Sequence, residues 1–278
     1  MTGTSFNATL ALIRDTFREA FARRIFWGFF GCCSALLLFL IFILRVDVVQ
    51  GALATVSIFG NSLPSANVEN LVEQTQSVIA MVLYFAGMAL SVFASAGLVS
   101  AVFEPGRIEL LLSKPVSRTH LLLGRYAGNV AVVAANILYL VVCSWIIFGI
   151  KTGVWGAGFL ISSLCTIFVF SVLLAVIVLV GVIWDSAAVA IMVTFAIMII
   201  TPILAQKATI ERLLSSEWSR DVVRVLYYTL PKISEISVII RHLILNQPVE
   251  SWMPVWSTAL FGVGVLSLGI WRFNKRSF

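Results

Sequence analysis

Two histidines, four cysteines and thirteen carboxylates are the side chains in this 278-residue chain that could ligate a metal or build a nucleophile–base pair. Their spacing supports neither chemistry. His120 and His242 stand far apart, and no Cys-x-x-Cys spacing suggests zinc or thiol redox work. Cys32, Cys33, Cys143 and Cys165 all sit in apolar runs, where a thiol behaves as a small hydrophobe. Nucleotide hydrolysis is excluded on a different ground. A phosphate-binding loop needs Gly-x4-Gly-Lys-Ser/Thr so that backbone amides and a lysine cradle the phosphates. The five lysines follow Ser113, Ile150, Gln206, Pro231 and Asn274, so no Gly-Lys pair exists. The chain is therefore expected to be no enzyme, to have no catalytic or metal-binding residue and to bind no cofactor itself.

Charge and turn residues concentrate in one place, 104–125. After Glu104, Pro105-Gly106 ends an incoming helix. A short helix with Ile108, Leu111 and Leu112 on one side then runs to Pro115, which stops it. Ser117 or Thr119 can cap the helix that follows. A stiff crosswise helix bearing both charges and leucines suits two roles. It could lie in a lipid interface anchored by Lys114 and Arg118, or it could dock a protein.

The elements that must hold this segment are apolar helices. The chain is 60% hydrophobic and 12% charged, with a mean hydropathy of +1.03, whereas soluble domains carry about 25% charged residues. Six apolar runs near 20 residues are expected to span a bilayer, about the length a bilayer requires: Ile25–Leu44, Val78–Phe103, Tyr126–Ile150, Trp155–Trp184, Ala187–Leu204 and Trp252–Trp271. They lack the period-2 alternation of barrel strands, so the expected fold is an all-α integral membrane protein, one transmembrane domain over 1–278. Arg23-Arg24 resembles the start of a signal peptide, but the apolar run is too long and has no close cleavage site, so the first span is retained.

Basic residues set the expected orientation. With the N-terminus inside, one side holds Arg14, Arg18, Arg23, Arg24, Arg107, Lys114, Arg118, Arg125, Arg272, Lys275 and Arg276. The short segments opposite hold only Arg45 and Lys151, and the long stretch 206–251 holds the other six. Both termini are thus expected in the cytoplasm. The net charge of +6 is met by basic loops facing anionic lipid and calls for no nucleic acid.

Three further segments carry a pattern. Over 5–24, Phe6, Leu10, Ile13, Phe17 and Phe21 fall on one face of an amphipathic helix expected in the membrane interface. The outer segment 45–76 reads as a polar, turn-rich loop without a site. The segment 206–251 reads as two short helices, Thr209–Tyr228 and Ile233–Leu245, dipping into or lying on the outer leaflet, or as a folded cap.

No Asp, Glu, Lys or Arg lies in the middle of a span, which argues against an ion-coupled secondary transporter. Asn136, Tyr139, Ser144, Thr166 and Thr194 read as interhelical hydrogen-bonding groups, and a weakly polar interior suits a lipophilic cargo. Gly87, Ser91 and Ser95 form a small-residue stripe for helix packing within the chain or against a second copy. Gly28, Gly31, Cys32 and Ala35 form another.

The run Glu104-x-Gly106-x-Ile108-Glu109-Leu110-Leu111-Leu112-Ser113-Lys114-Pro115-Val116-Ser117-Arg118, followed by Leu123-Gly124-Arg125, resembles the inner loop of ABC-2 type permeases. These are the membrane subunits of type V ABC transporters, mostly exporters of the cell membrane. The basic N-terminal helix, the six spans and a re-entrant segment before the sixth resemble the family in order; Pro105 departs from its usual small or acidic residue. The resemblance implies that a separate ATPase subunit, carrying ATP and Mg, receives the crosswise helix in a groove. Glu104, Gly106, Arg107, Ile108, Glu109, Leu111, Leu112, Lys114, Pro115 and Arg118 would make that contact, with Asp185 and Ser186 as a possible second inner contact or a plain helix cap. It further implies a pair of permease chains, a homodimer forming one pathway in a bacterial inner membrane. Some relatives move force rather than solute, so a force-transmitting anchor is the alternative.

Overall fold

The computed structural model describes residues 14–16, 18–22, 24–43, 45–49, 53–58, 61–66, 68–100, 117–213 and 216–276; at 24–26, 43, 45–49, 53–58, 61–66, 68 and 100 it describes the backbone alone. Helix α1 (Arg14–Ala22) meets the axis of the segment Trp27–Phe42 at 78°, and that segment belongs to α2 (Arg24–Ile43). There follow α3 (Val68–Val82), a π-helical turn (Leu83–Gly87) and α4 (Met88–Ser100). Next come α5 (Arg118–Thr152), α6 (Ala157–Trp184) and α7 (Ala187–Ala205). Short helices α8 (Lys207–Leu213), α9 (Glu217–Thr229) and α10 (Ile233–Ile244) lead to α11 (Met253–Lys275). Among the described residues, five helical stretches are long and apolar enough to cross a membrane, six with the bent pair of α1 and α2. The membrane-spanning part of the protein is all-α, as its composition requires.

One part of the expectation changes. Within the segment read as a loop, Arg45–Val49 (β1), Leu53–Ile58 (β2) and Asn61–Ala66 (β3) form an antiparallel sheet in the order β1-β2-β3. Val46 pairs with Val56, and Ile58 with Asn61. The β-branched residues of β1 and β2 favour extended backbone, a preference hidden by the breakers Gly60 and Pro64.

The core is organised around α6. It packs against α4, α5, α7, α10 and α11, and Phe159, Phe170, Leu173, Leu174 and Ile177 are completely enclosed. Its apolarity on every side is what a central helix needs. Helix α10 is inserted among the long helices: Ile236 and Ile240 are fully buried. Span 4 begins so close to α10 that a Cβ on Gly158 would collide with the Leu243 carbonyl oxygen and lie 2.8 Å from its carbon. The π turn places the Tyr84 hydroxyl where it donates to the Ile233 carbonyl at 2.7 Å, fixing the start of α10 to the second span. Such turns insert one residue into a helix and re-aim a side chain.

Helix ends are specified locally. Gly153, at φ 74°, closes α5 in the left-handed region that only glycine enters freely. Ser117 accepts the His120 amide at 3.3 Å to start α5, choosing between the two caps the sequence offered.

Candidate coupling face

The bundle end that carries Arg14, Arg118 and Arg276, here the terminal face, is tied together by polar contacts between residues distant in sequence. Helix α1 lies across the start of α5, close enough that a Cβ on Gly128 would sit 2.7 Å from Thr16. Arg125 extends from α5 into that contact and donates to Asp15 at 2.7 Å and to Glu19 at 2.9 Å. Its side chain is 6% exposed and that of Glu19 is 16%, so both charges are largely withdrawn from water and stabilise each other. Asp15 and Glu19 are one helical turn apart, which aims both at one guanidinium.

A second knot joins the other helix ends. Arg118, the first residue of α5, donates to the backbone carbonyl of Arg276, just beyond α11. Arg276 in turn donates to the Val182 carbonyl at 2.7 Å and to Asp185. Asn274 donates to Thr119 at 3.0 Å. Asp185 is the C-cap of α6 and holds a left-handed backbone, φ 52°. Its hydrogen bonds keep the Arg276 guanidinium above its ordinary pKa. Ser186 accepts the Val189 amide at 3.4 Å as N-cap of α7. Asp185 and Ser186 are thus caps, and Asp185 is also an ion-pair partner. Chain position gave no sign of the partner, because Arg276 lies 91 residues away.

The loop residues Glu104, Gly106, Arg107, Ile108, Glu109, Leu111, Leu112, Lys114 and Pro115 lie outside the described residues, as do Phe6, Leu10, Ile13 and Phe17. Their flanks are fixed: the loop leaves α4 and re-enters at Ser117-Arg118 beside the Arg276 knot. Phe21 packs on Trp27 with ring centroids 6.0 Å apart, and the Trp27 indole donates to the Phe21 carbonyl at 2.8 Å. That contact holds the bend between α1 and α2.

Gly87, Ser91 and Ser95 are buried inside the single chain, facing α1, α2 and α5. Ser91 and Ser95 line a cavity with Asn129, Asn136, Phe29 and Ala20. It leaves about 30 Å³ for the centres of water molecules, enough for one or two. The Nδ2 atoms of Asn129 and Asn136 donate back to the Arg125 and Val132 carbonyls. Their Oδ1 atoms and the Ser95 hydroxyl have no partner among the described residues. The slot therefore offers acceptors between the second and third spans.

The remaining span polar groups mostly close on their own helices. Thr166 donates to Ser162 and Thr194 to Ala190, each four residues back. Only Tyr139, of the groups singled out as interhelical, bonds another helix, meeting Ser34 at 3.1 Å. A hydroxyl that bonds its own i−4 carbonyl is satisfied without a neighbour, which explains the difference. Among the described residues no group of three His, Cys, Asp or Glu comes together.

Residues 10–278 match the model of the family described as ABC-2 family transporter protein. The chain belongs to that family. It is a multi-pass membrane permease subunit of an ATP-binding cassette transporter, and membership implies an ABC-type ATPase as the partner that supplies energy. Comparison with curated proteins returns no match.

Proposed function

We propose that this ABC-2 subunit is half of a homodimeric exporter of the bacterial inner membrane, driven through the 104–118 helix by a separate ATPase that carries ATP and Mg. The terminal face is then cytoplasmic, in keeping with its excess of basic residues. The observation that supports this reading is the pair of polar knots beside the loop. Arg118 joins the loop's exit to α6 and α11, and Arg125 joins the same helix to α1. A displacement of the loop is therefore shared by α1, α5, α6 and α11, as a coupling element requires. Packed, hydrogen-bonded helices shift as units rather than deform.

The second copy is assigned to the open face of α2. An added Cβ on Gly28 or Gly31 would touch nothing within 4 Å, and Cys32 and Ala35 continue that exposed face. Small residues let two helices approach closely in lipid. The cargo is assigned as lipophilic, since the spans supply hydroxyls and amides but no mid-span charge. A force-transmitting anchor would use the same knots and move no cargo. The test is purification of a tagged chain from its native membrane. Recovery of a Walker-motif ATPase with it supports the reading, and recovery of the permease alone under mild detergent counts against it.

A further inference from the structure

The other end of the bundle contains a cation that its surroundings do not neutralise. Lys232 precedes α10 at the turn Leu230-Pro231, and its residue is only 4% exposed. Its backbone N–H is held by Thr258 of α11 at 2.9 Å, so it cannot withdraw. Its ammonium makes no hydrogen bond among the described residues and rests 3.3 Å from the centre of the Tyr227 ring. Lys207 places its own ammonium 3.9 Å from the same ring. The carboxylate of Glu235 accepts the Tyr227 hydroxyl at 2.6 Å. Burial, and then the neighbouring Lys207, lower the pKa of Lys232, while Glu235 raises it.

Lys232, Tyr227 and Glu235 border one pocket, which Lys207 adjoins through its contact with the Tyr227 ring. Thr201, Tyr227, Lys232, Ser234 and Glu235 line it, and the Thr201 hydroxyl is also buried without a partner. The start of α10 has no side-chain cap, so its free amides add roughly half a positive charge. Within the pocket lining, the Lys232 ammonium and the helix N-terminus face one carboxylate, Glu235, with the Lys207 ammonium next to it. A desolvated cation left unpaired is costly, and a ring face offsets only about 2 kcal/mol of that. The pocket encloses about 220 Å³ of space, part of it open to the surroundings, with room for about one water centre (10 Å³) in its interior. A terminal oxygen fits there while the remainder of a larger group stays outside. Depth agrees: at about 1.5 Å per residue, Thr201 stands roughly 21 Å along α7 from its start, in the far third of a roughly 30 Å hydrocarbon core, and Lys207 follows just beyond the end of α7.

We propose that Lys232, Lys207 and Thr201 bind the oxyanion of a phosphate group at the far-face membrane boundary. Its source is an anionic phospholipid headgroup or a soluble phosphate. The site stands independently of how the ATPase couples.

The full chain in phosphatidylcholine nanodiscs tests this in two arms. One adds phosphatidylglycerol to the disc; the other titrates inorganic phosphate against chloride at equal ionic strength. Thermal unfolding is read in each, and native mass spectrometry counts retained phosphatidylglycerol. The wild type is expected to gain about 3 °C or more in one arm, with the gain lost in Lys232→Met and reduced in Lys207→Met. Protection by phosphatidylglycerol identifies a lipid, and protection by phosphate alone identifies a solute. No protection in either arm, or protection undiminished in both variants, overturns the proposal. If Lys232→Met does not fold, Lys207→Met decides on the same criterion.

Discussion

Arg125 and Glu19 form an ion pair at 2.9 Å across 106 residues of sequence. The pair fastens the N-terminal helix to the third span. With Asp15 it ties two carboxylates of α1 to one buried guanidinium of α5, so it sets how firmly α1 follows α5.

Arg125→Met is expected to destabilise the protein by about 3 kcal/mol or more, because Glu19 is left buried without its counter-charge. Arg125→Lys retains the charge but cannot serve two carboxylates with one planar fork, so it falls in between. Thermal unfolding in detergent orders the three proteins. Glu19→Gln should cost more than Asp15→Asn, since the Asp15 side chain is 57% exposed. Equal stability of wild type and Arg125→Met would remove the clamp from the account.

Gly158→Ala is expected to cost about 1–3 kcal/mol, the range for overpacking. The added methyl meets the rigid backbone of α10 at Leu243 rather than a flexible side chain. Limited proteolysis near Asn246 should speed up as α10 is pushed away. Gly264, where an added Cβ meets nothing within 4 Å, serves as the neutral control.

Gly31→Leu leaves the chain's own packing untouched and obstructs the face assigned to a second copy. The expected result is a fold as stable as the wild type, with the dimer shifted to monomer in sedimentation of the detergent-solubilised protein. A dimer that persists unchanged places the interface elsewhere, for instance on α7, where Met192 and Ile199 are exposed.

Lys232 gives a pH dependence of definite sign. Burial lowers its pKa in the folded protein below 10.5, so between the two values the unfolded chain holds more protons and stability rises with pH. Tyr227 acts oppositely above 10, since burial and the Glu235 contact raise its pKa and stability falls as the unfolded chain ionises first. Comparison with Lys232→Met isolates the lysine. Relative to that variant, the wild type should gain thermal stability as the pH rises toward 10.5; a constant gap would contradict the lysine's burial.

How legible the structure was depended on the range of each interaction. Apolar length and periodicity placed the spans, because a bilayer demands helices of one length. The helical spacing of Ile236 and Ile240 likewise announced α10, though not its burial against α6. Pairings such as Arg125 with Asp15, or Asp185 with Arg276, were invisible, since each half reads alone as a basic loop residue or a helix cap. The sheet over 45–66 was masked by turn residues that interrupt short strands. Lys232 looked like one of six basic residues in a polar segment; only the fold folds Tyr227 over it.

The central claim is that the 104–118 segment couples this permease to a separate ATPase, and one measurement addresses it most directly. The Lys114→Glu, Arg118→Glu double variant is co-expressed with the ATPase, and complex formation and ATP hydrolysis are compared with wild type. Arg118→Glu alone controls for loss of the Arg276 contact. The account predicts that the double variant stays folded in the membrane but loses the ATPase, and with it permease-dependent hydrolysis. A double variant that retains both the complex and its ATP hydrolysis would contradict it.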